Sequence, residues 1–214
     1  MTEANEDLSK PVLIGRSSSH FTRIVRIFAD ELRVDYDFQV LRDMLSPRPE
    51  DYGGNPALKI PVLRTSRGSW FGALNICREL WRQSNHKQRI VWPEDLGEPV
   101  LANAQELVLQ SMATEVTLVM SRVGGAGDGG VHQDKMRQSL GNMVGWLNAN
   151  AASFCAALPE ERDLSFLEVS LFCLATHLEF REVLPMAPYT ALTEFCQRFG
   201  ARPSCAGTSF RFDT

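Results

Sequence analysis

The sequence predicts a small α/β domain of order β-α-β-loop-β-β-α followed by an all-α half. Three observations predict it. Residues 11–84 mix strand-like and helix-like apolar periods. Residues 98–199 carry helix-like periods alone. Within the first of these stretches, the run Asn55-Pro56-Ala57-Leu58-Lys59-Ile60-Pro61-Val62-Leu63 sets a proline at the mouth of an apolar segment. A residue without an N–H belongs at a strand's first position or in a turn. A cis Ile60–Pro61 bond would turn the chain sharply and leave the Ile60 amide and carbonyl facing outward. A peptide can add to such a backbone pair as an extra strand. The plainer alternative is a loop proline before an edge strand.

Each element has its own local justification. Pro11–Gly15 is a short apolar run ended by glycine, a buried strand. Ser17-Ser18-Ser19 precede a helix over His20–Arg33, whose stripe is Phe21, Ile24, Val25, Ile27, Phe28 and Leu32; serines are preferred N-caps. Val34–Leu41 alternates in the manner of a strand. Residues 42–58 are rich in proline and glycine and read as loop. Pro61–Thr65 and Ser69–Phe71 form a hairpin around Ser66-Arg67-Gly68, and a helix runs over Gly72–Gln83. Residues 85–97 read as a linker anchored by Trp92 and Pro93. Long helices are expected over Glu98–Arg122 and His132–Phe154, with the glycine run at 124–130 as a flexible turn. Ser165–Arg181 is apolar on most faces, so it should be the centre of its domain. Asp163–Glu168 reads as a capping box, Ser165 and Glu168 capping reciprocally, with Leu164 and Val169 placed for a hydrophobic staple. A last helix lies over Thr190–Phe199, closed by Gly200 and Pro203.

Composition narrows the classes. A chain of 214 residues, 44% hydrophobic, can bury two small cores. A formal net charge of −4 argues against a nucleic-acid surface. No apolar run of membrane-spanning length occurs. Met1–Lys10 is polar and acidic and lacks the pattern of a signal peptide, which with five cysteines in no CxxC spacing fits reduced thiols in a cytoplasm. His20, His86, His132 and His177 are scattered without metal-ligand spacing, so no metal is expected.

Residues 11–84 resemble the N-terminal thioredoxin-like domain of the glutathione transferase family. The segment "LIGRSSSHFTRIVRIFADEL" is similar to the family's first strand and helix, and "NPALKIPVL" to its "NPxGKVPxL" clamp. The box opening at Ser165 stands where the family has Ser/Thr-x-x-Asp, and "RFGARPSCAGT" is similar to its "RPS" segment. The resemblance spans about residues 11–208. It implies the glutathione transferase fold, with a glutathione-binding domain over 11–84, a linker over 85–97 and an all-helical domain over 98–208. It implies a cytoplasmic homodimer conjugating reduced glutathione, as cosubstrate, to a small hydrophobic electrophile.

It also implies roles for residues. Aligned with "SPFxxKVRI", Ser19 takes the position that serves the glutathione sulfur, with Ser17 or Ser18 as alternatives of register. A hydroxyl donating to the thiolate would favour the nucleophilic form; plain helix capping is the competing reading. Neither Cys nor Tyr stands there, which disfavours mechanisms needing a protein cysteine. Ile60 and Pro61 form the clamp for the cysteinyl backbone, and Lys59 is a candidate partner for a carboxylate or a solvated charge. Where the family has Glu-Ser to bind the γ-glutamyl carboxylate, this chain has Gly72-Ala73, leaving helix amides and dipole. A shifted register would put Asn75 in the serine's place. Thr114, Glu115 and Thr117 fall where the family has its second-substrate pocket. Arg23 and Arg26 read as surface or interdomain charges, and Trp70 and Phe71 as core strand residues. The degenerate Gly72-Ala73 pair also fits an alternative of another class, a non-catalytic binding or protein-interaction module on the same fold.

Overall fold

The computed structural model describes residues 10–125 and 129–213. They form two compact units, one of residues up to Gln88 together with Pro203 onward, the other of Arg89–Arg202. Of the stretch Met1–Lys10, only Lys10 lies among the described residues; of the glycine run, residues 126–128 lie outside them.

In the first unit, strands β1 (Val12–Gly15), β2 (Asp37–Val40), β3 (Val62–Thr65) and β4 (Gly68–Phe71) form one mixed sheet in the order β2-β1-β3-β4. β1 pairs parallel with β2, and β3 pairs antiparallel with both β1 and β4. Helices α1 (His20–Glu31) and α2 (Ala73–Gln83) complete the β-α-β-loop-β-β-α order. Period-2 alternation splits the core. Ile14 and Val62 join Leu41 and Tyr52 on one face, with Val12, Met44, Ile60 and Phe71 packed around them. Their sheet neighbours Leu13 and Leu63 are fully buried as well, so both faces are covered. Gly15 is required where β1 passes α1, since a Cβ there would come within 2.5 Å of the Thr22 side chain.

The second strand is shorter than its alternation suggests. Arg33 adopts a left-handed conformation (φ 53°), and the Arg33 and Val34 amides donate to the Asp30 and Ala29 carbonyls. This is a Schellman closure of α1. It consumes the Val34 amide, and pairing with β1 begins only at Asp37.

The second unit holds a two-stranded parallel pair, β5 (Ile90–Val91) with β6 (Leu164–Ser165), and helices α3 (Pro99–Val123), α4 (Val131–Ala157), α5 (Phe166–Phe180) and α6 (Thr190–Gly200). Helix α5 is buried along most of its length, as its all-round apolarity requires. Ser165 does stand at its N-cap, but the reciprocal capping box is absent. The Ser165 hydroxyl makes no cap bond, while the Glu168 carboxylate is held bidentately by Arg162 at 2.8 Å on each oxygen. A charge-assisted bidentate pair is stronger than a cap bond to a neutral amide. Pro203 opens a further short helix, α7 (Pro203–Ala206), that belongs to the first unit. No described helix is long and apolar enough to cross a membrane.

Candidate functional site

Strand register gathers the candidate residues of the first unit. Ile14 in β1 stands opposite Val62 in β3, and Val62 stands opposite Phe71 in β4. The chain therefore leaves β1, enters β3 and leaves β4 at one end of the sheet. The segments at that end are the Arg16–Ser19 turn, the Ile60–Pro61 pair and the Gly72–Ala73 start of α2.

The turn is closed by the Ser19 amide donating to the Arg16 carbonyl at 3.1 Å. Ser19 is the N-cap of α1, its Oγ accepting from the Thr22 amide at 3.2 Å. Capping uses one lone pair; the hydroxyl proton remains able to donate to another acceptor. Capping and thiolate stabilisation are thus compatible at this residue. Ser17 is 1% exposed, its Oγ has no hydrogen-bond partner among the described residues, and its main-chain N–H donates to Asp213 Oδ2 at 2.8 Å.

The Ile60–Pro61 peptide bond is cis. Ile60 stands outside the ladder, two residues before strand pairing starts at Val62. Asn55 ties the preceding loop together, its Nδ2 donating to the Lys59 carbonyl at 2.7 Å and its Oδ1 accepting from the Ala57 amide at 3.0 Å. Further back, Asp51 accepts from the Ser46 hydroxyl and from Arg48. These two partners, the hydroxyl first, hold the Asp51 carboxyl below its ordinary range. Their support of the loop is present above the ordinary carboxylate range and is lost as pH falls through the lowered value.

At α2, Gly72 is the N-cap with φ 81° and no side-chain cap bond. Ala73 is buried beside it. Asn75 is exposed and its amide turns back to the Phe71 carbonyl at 3.2 Å. Lys59 is exposed. Trp70 is half-buried and lies against guanidinium groups, Arg82 at 5.0 Å and Arg67 at 5.7 Å from its ring centre. The expectation of a core Trp70 is corrected accordingly: both cations also reach the fully buried Glu79 carboxylate, which draws them across the ring. Phe71 does pack on the core.

Arg23 and Arg26 are buried, which corrects their reading as surface charges. The Arg23 guanidinium donates to the Cys205 carbonyl at 3.1 Å and lies 4.3 Å from the Phe210 ring centre. Arg26 faces the Tyr36 hydroxyl and the Phe38 ring. Burial is tolerable because each cation meets an oxygen and an aromatic face. The Asp213 contact has no local sequence signal, since it joins residues 196 positions apart.

In the second unit, Glu115 is fully buried and its Oε1 lies 2.7 Å from Nδ1 of His177, also buried. Burial removes Glu115 from the candidates for a substrate surface. Thr117 is exposed with its hydroxyl bonded to the Ala113 carbonyl, and Thr114 is half-buried. A cavity of about 320 Å³ is lined by Cys155, Arg162, Glu168, Phe195, Arg198, Phe199 and Arg202. Burial, then Glu168, pushes the Cys155 thiol up, against the pull of Arg162 and Arg198. Reactivity follows the thiolate fraction, so Cys155 should alkylate slowly with iodoacetamide at pH 7 and speed up only above the usual thiol range. Peptide mapping across pH checks this; rapid labelling at pH 7 would contradict it.

Residues 18–83 match the model of the glutathione S-transferase N-terminal domain. No curated protein matches the sequence. Among solved structures, a glutathione S-transferase of Methylobacillus flagellatus with glutathione bound is similar at TM-score 0.73 and 20% identity, over 94% of this chain and 100% of that one. One of Methylobacterium radiotolerans, in complex with glutathione sulfonate, gives 0.71 and 19% over 96% and 97%. A glutathione transferase family member of Pseudomonas fluorescens, with bound S-(propanoic acid)-glutathione, gives 0.69 and 19% over 94% and 100%. Residues 18–83 thus match the glutathione S-transferase N-terminal domain, and the chain shares the fold of glutathione transferase structures along its length.

Proposed function

We propose that the protein binds reduced glutathione at the sheet end where the Ser17–Ser19 turn, Ile60–Pro61 and Gly72–Ala73 converge, and conjugates it to a small hydrophobic electrophile. That convergence in the register of β1, β3 and β4 is the observation that carries the reading. Three structural relatives crystallised with glutathione or its derivatives support it. Ser19 donates its hydroxyl proton to the thiolate while capping α1. The Ile60 backbone pairs with the cysteinyl backbone. The first amides of α2 receive the γ-glutamyl carboxylate, aided by the positive helix end. Lys59 and Asn75 stand at the margin. The protein works as a homodimer in the cytoplasm.

Calorimetric titration with reduced glutathione tests this. Micromolar to low-millimolar affinity is expected; no binding at about 10 mM, a standard free energy weaker than roughly −3 kcal/mol, would overturn it. The bare Gly72–Ala73 start of α2 supplies a second test. A hydroxyl introduced by Ala73→Ser would face the carboxylate directly. A hydrogen bond to a charged group contributes about 1.5–3 kcal/mol, so glutathione should bind at least about tenfold more tightly. Unchanged affinity would place the carboxylate elsewhere. That same bareness favours one other reading, a non-catalytic interaction module, which predicts no glutathione binding by either form.

A further inference from the structure

We infer that the segment Ser209–Asp213 is an internal occluder of the sulfur-binding turn, with the Asp213 carboxylate held on the Ser17 amide, two residues before the Ser19 that would serve the ligand's thiolate. The inference rests on the proposed binding of glutathione at that turn. The Ser17 amide, two residues before the α1 N-cap, is occupied by Asp213 Oδ2 at 2.8 Å. The Ser17 hydroxyl beside it is 1% exposed and makes no hydrogen bond among the described residues. An amide in the turn before α1 that already holds a carboxylate, beside a buried hydroxyl with no partner among the described residues, marks a place that accepts an anion.

The segment is anchored on one side of that contact. Ser204 donates to Glu31 Oε1 at 2.6 Å, Thr208 donates to the Ser204 carbonyl at 2.8 Å, and Phe210 lies under the Arg23 guanidinium. Beyond Phe210, Arg211 is exposed and Phe212 is 63% exposed. Release of the Asp213 carboxylate from the Ser17 amide leaves the anchors at Ser204, Thr208 and Phe210 in place. A glutathione thiolate at Ser19 and an Asp213 carboxylate held two residues away on the same turn are both anions and repel each other. Ligand binding then selects the fraction in which the Asp213–Ser17 contact is open, and apparent affinity is reduced accordingly.

The experiment compares wild type, Asp213→Asn and Asp213→Ala by hydrogen exchange at the Ser17 amide and by calorimetric titration with reduced glutathione. Asp213→Ala is expected to speed Ser17 exchange and, if about a tenth of the wild type is open, to tighten glutathione binding about tenfold. Asp213→Asn should fall between, because its neutral amide oxygen still accepts from Ser17. Unchanged Ser17 exchange in Asp213→Ala overturns the inference. So does equal glutathione affinity in wild type and Asp213→Ala, which leaves the transferase reading standing. Faster exchange with no glutathione binding even by Asp213→Ala overturns both.

Discussion

Replacing Ser19 with alanine is expected to reduce glutathione turnover at neutral pH about ten- to hundredfold and to destabilise the fold modestly. The stability effect stems from the cap. Ser19 Oγ satisfies the Thr22 amide at the start of α1, and losing such a cap costs about 1 kcal/mol. The chemical effect stems from the proton. A hydroxyl donating to a thiolate contributes about 1.5–3 kcal/mol, which is one to two units of thiol pKa at about 1.4 kcal/mol per unit. The two effects separate in Ser19→Asp. Aspartate caps a helix as well as serine does, but an ionised carboxylate has no proton to donate. Ser19→Asp should therefore keep the urea midpoint and lose turnover, whereas Ser19→Ala loses some of both. Full turnover in Ser19→Asp would assign Ser19 to capping alone.

Removing the Glu115 carboxylate is expected to have the largest effect on stability. Glu115→Ala takes that partner from the buried His177 imidazole, and leaving a buried hydrogen-bonding group without its partner costs about 1–3 kcal/mol. Against a total of about 5–15 kcal/mol for a typical domain, that is a large share. Glu115→Gln retains an oxygen near the imidazole and should cost much less. His177→Ala added to Glu115→Ala should cost less than the sum of the two single effects, because their 2.7 Å contact is lost in both. Urea unfolding of the four proteins reads this directly. Additive single effects would show that Glu115 and His177 are stabilised by separate neighbours.

Much of the first unit is legible in the sequence because its elements have clean periods. The α1 stripe, the Ser66-Arg67-Gly68 hairpin and the proline at the head of β3 each depend on nearest neighbours along the chain. Pro61 is the clearest case, since a residue without an N–H limits where a strand can start whatever packs against it. Local chemistry misleads where a tertiary partner outcompetes it. Ser165 and Glu168 have capping-box spacing, but Arg162 takes the carboxylate. Val34 continues an alternating pattern, but its amide closes α1.

Charged residues are where pattern reading fails most. Arg23 and Arg26 read as surface or interdomain charges in one dimension and Glu115 as a substrate-pocket candidate, and all three are buried. A charge is buried only when partners meet it, and those partners come from distant positions: Cys205 and Phe210 for Arg23, and His177 for Glu115. By itself the sequence determined the order of elements, the candidate Ser19, Ile60 and Gly72–Ala73 positions, and the missing polar pair at the start of α2. Only the tertiary structure decided that these positions meet at one end of the sheet, and that Asp213 already holds the Ser17 amide. Period and proline chemistry act over a few residues, whereas register and long-range hydrogen bonds are set by the packing of the folded chain.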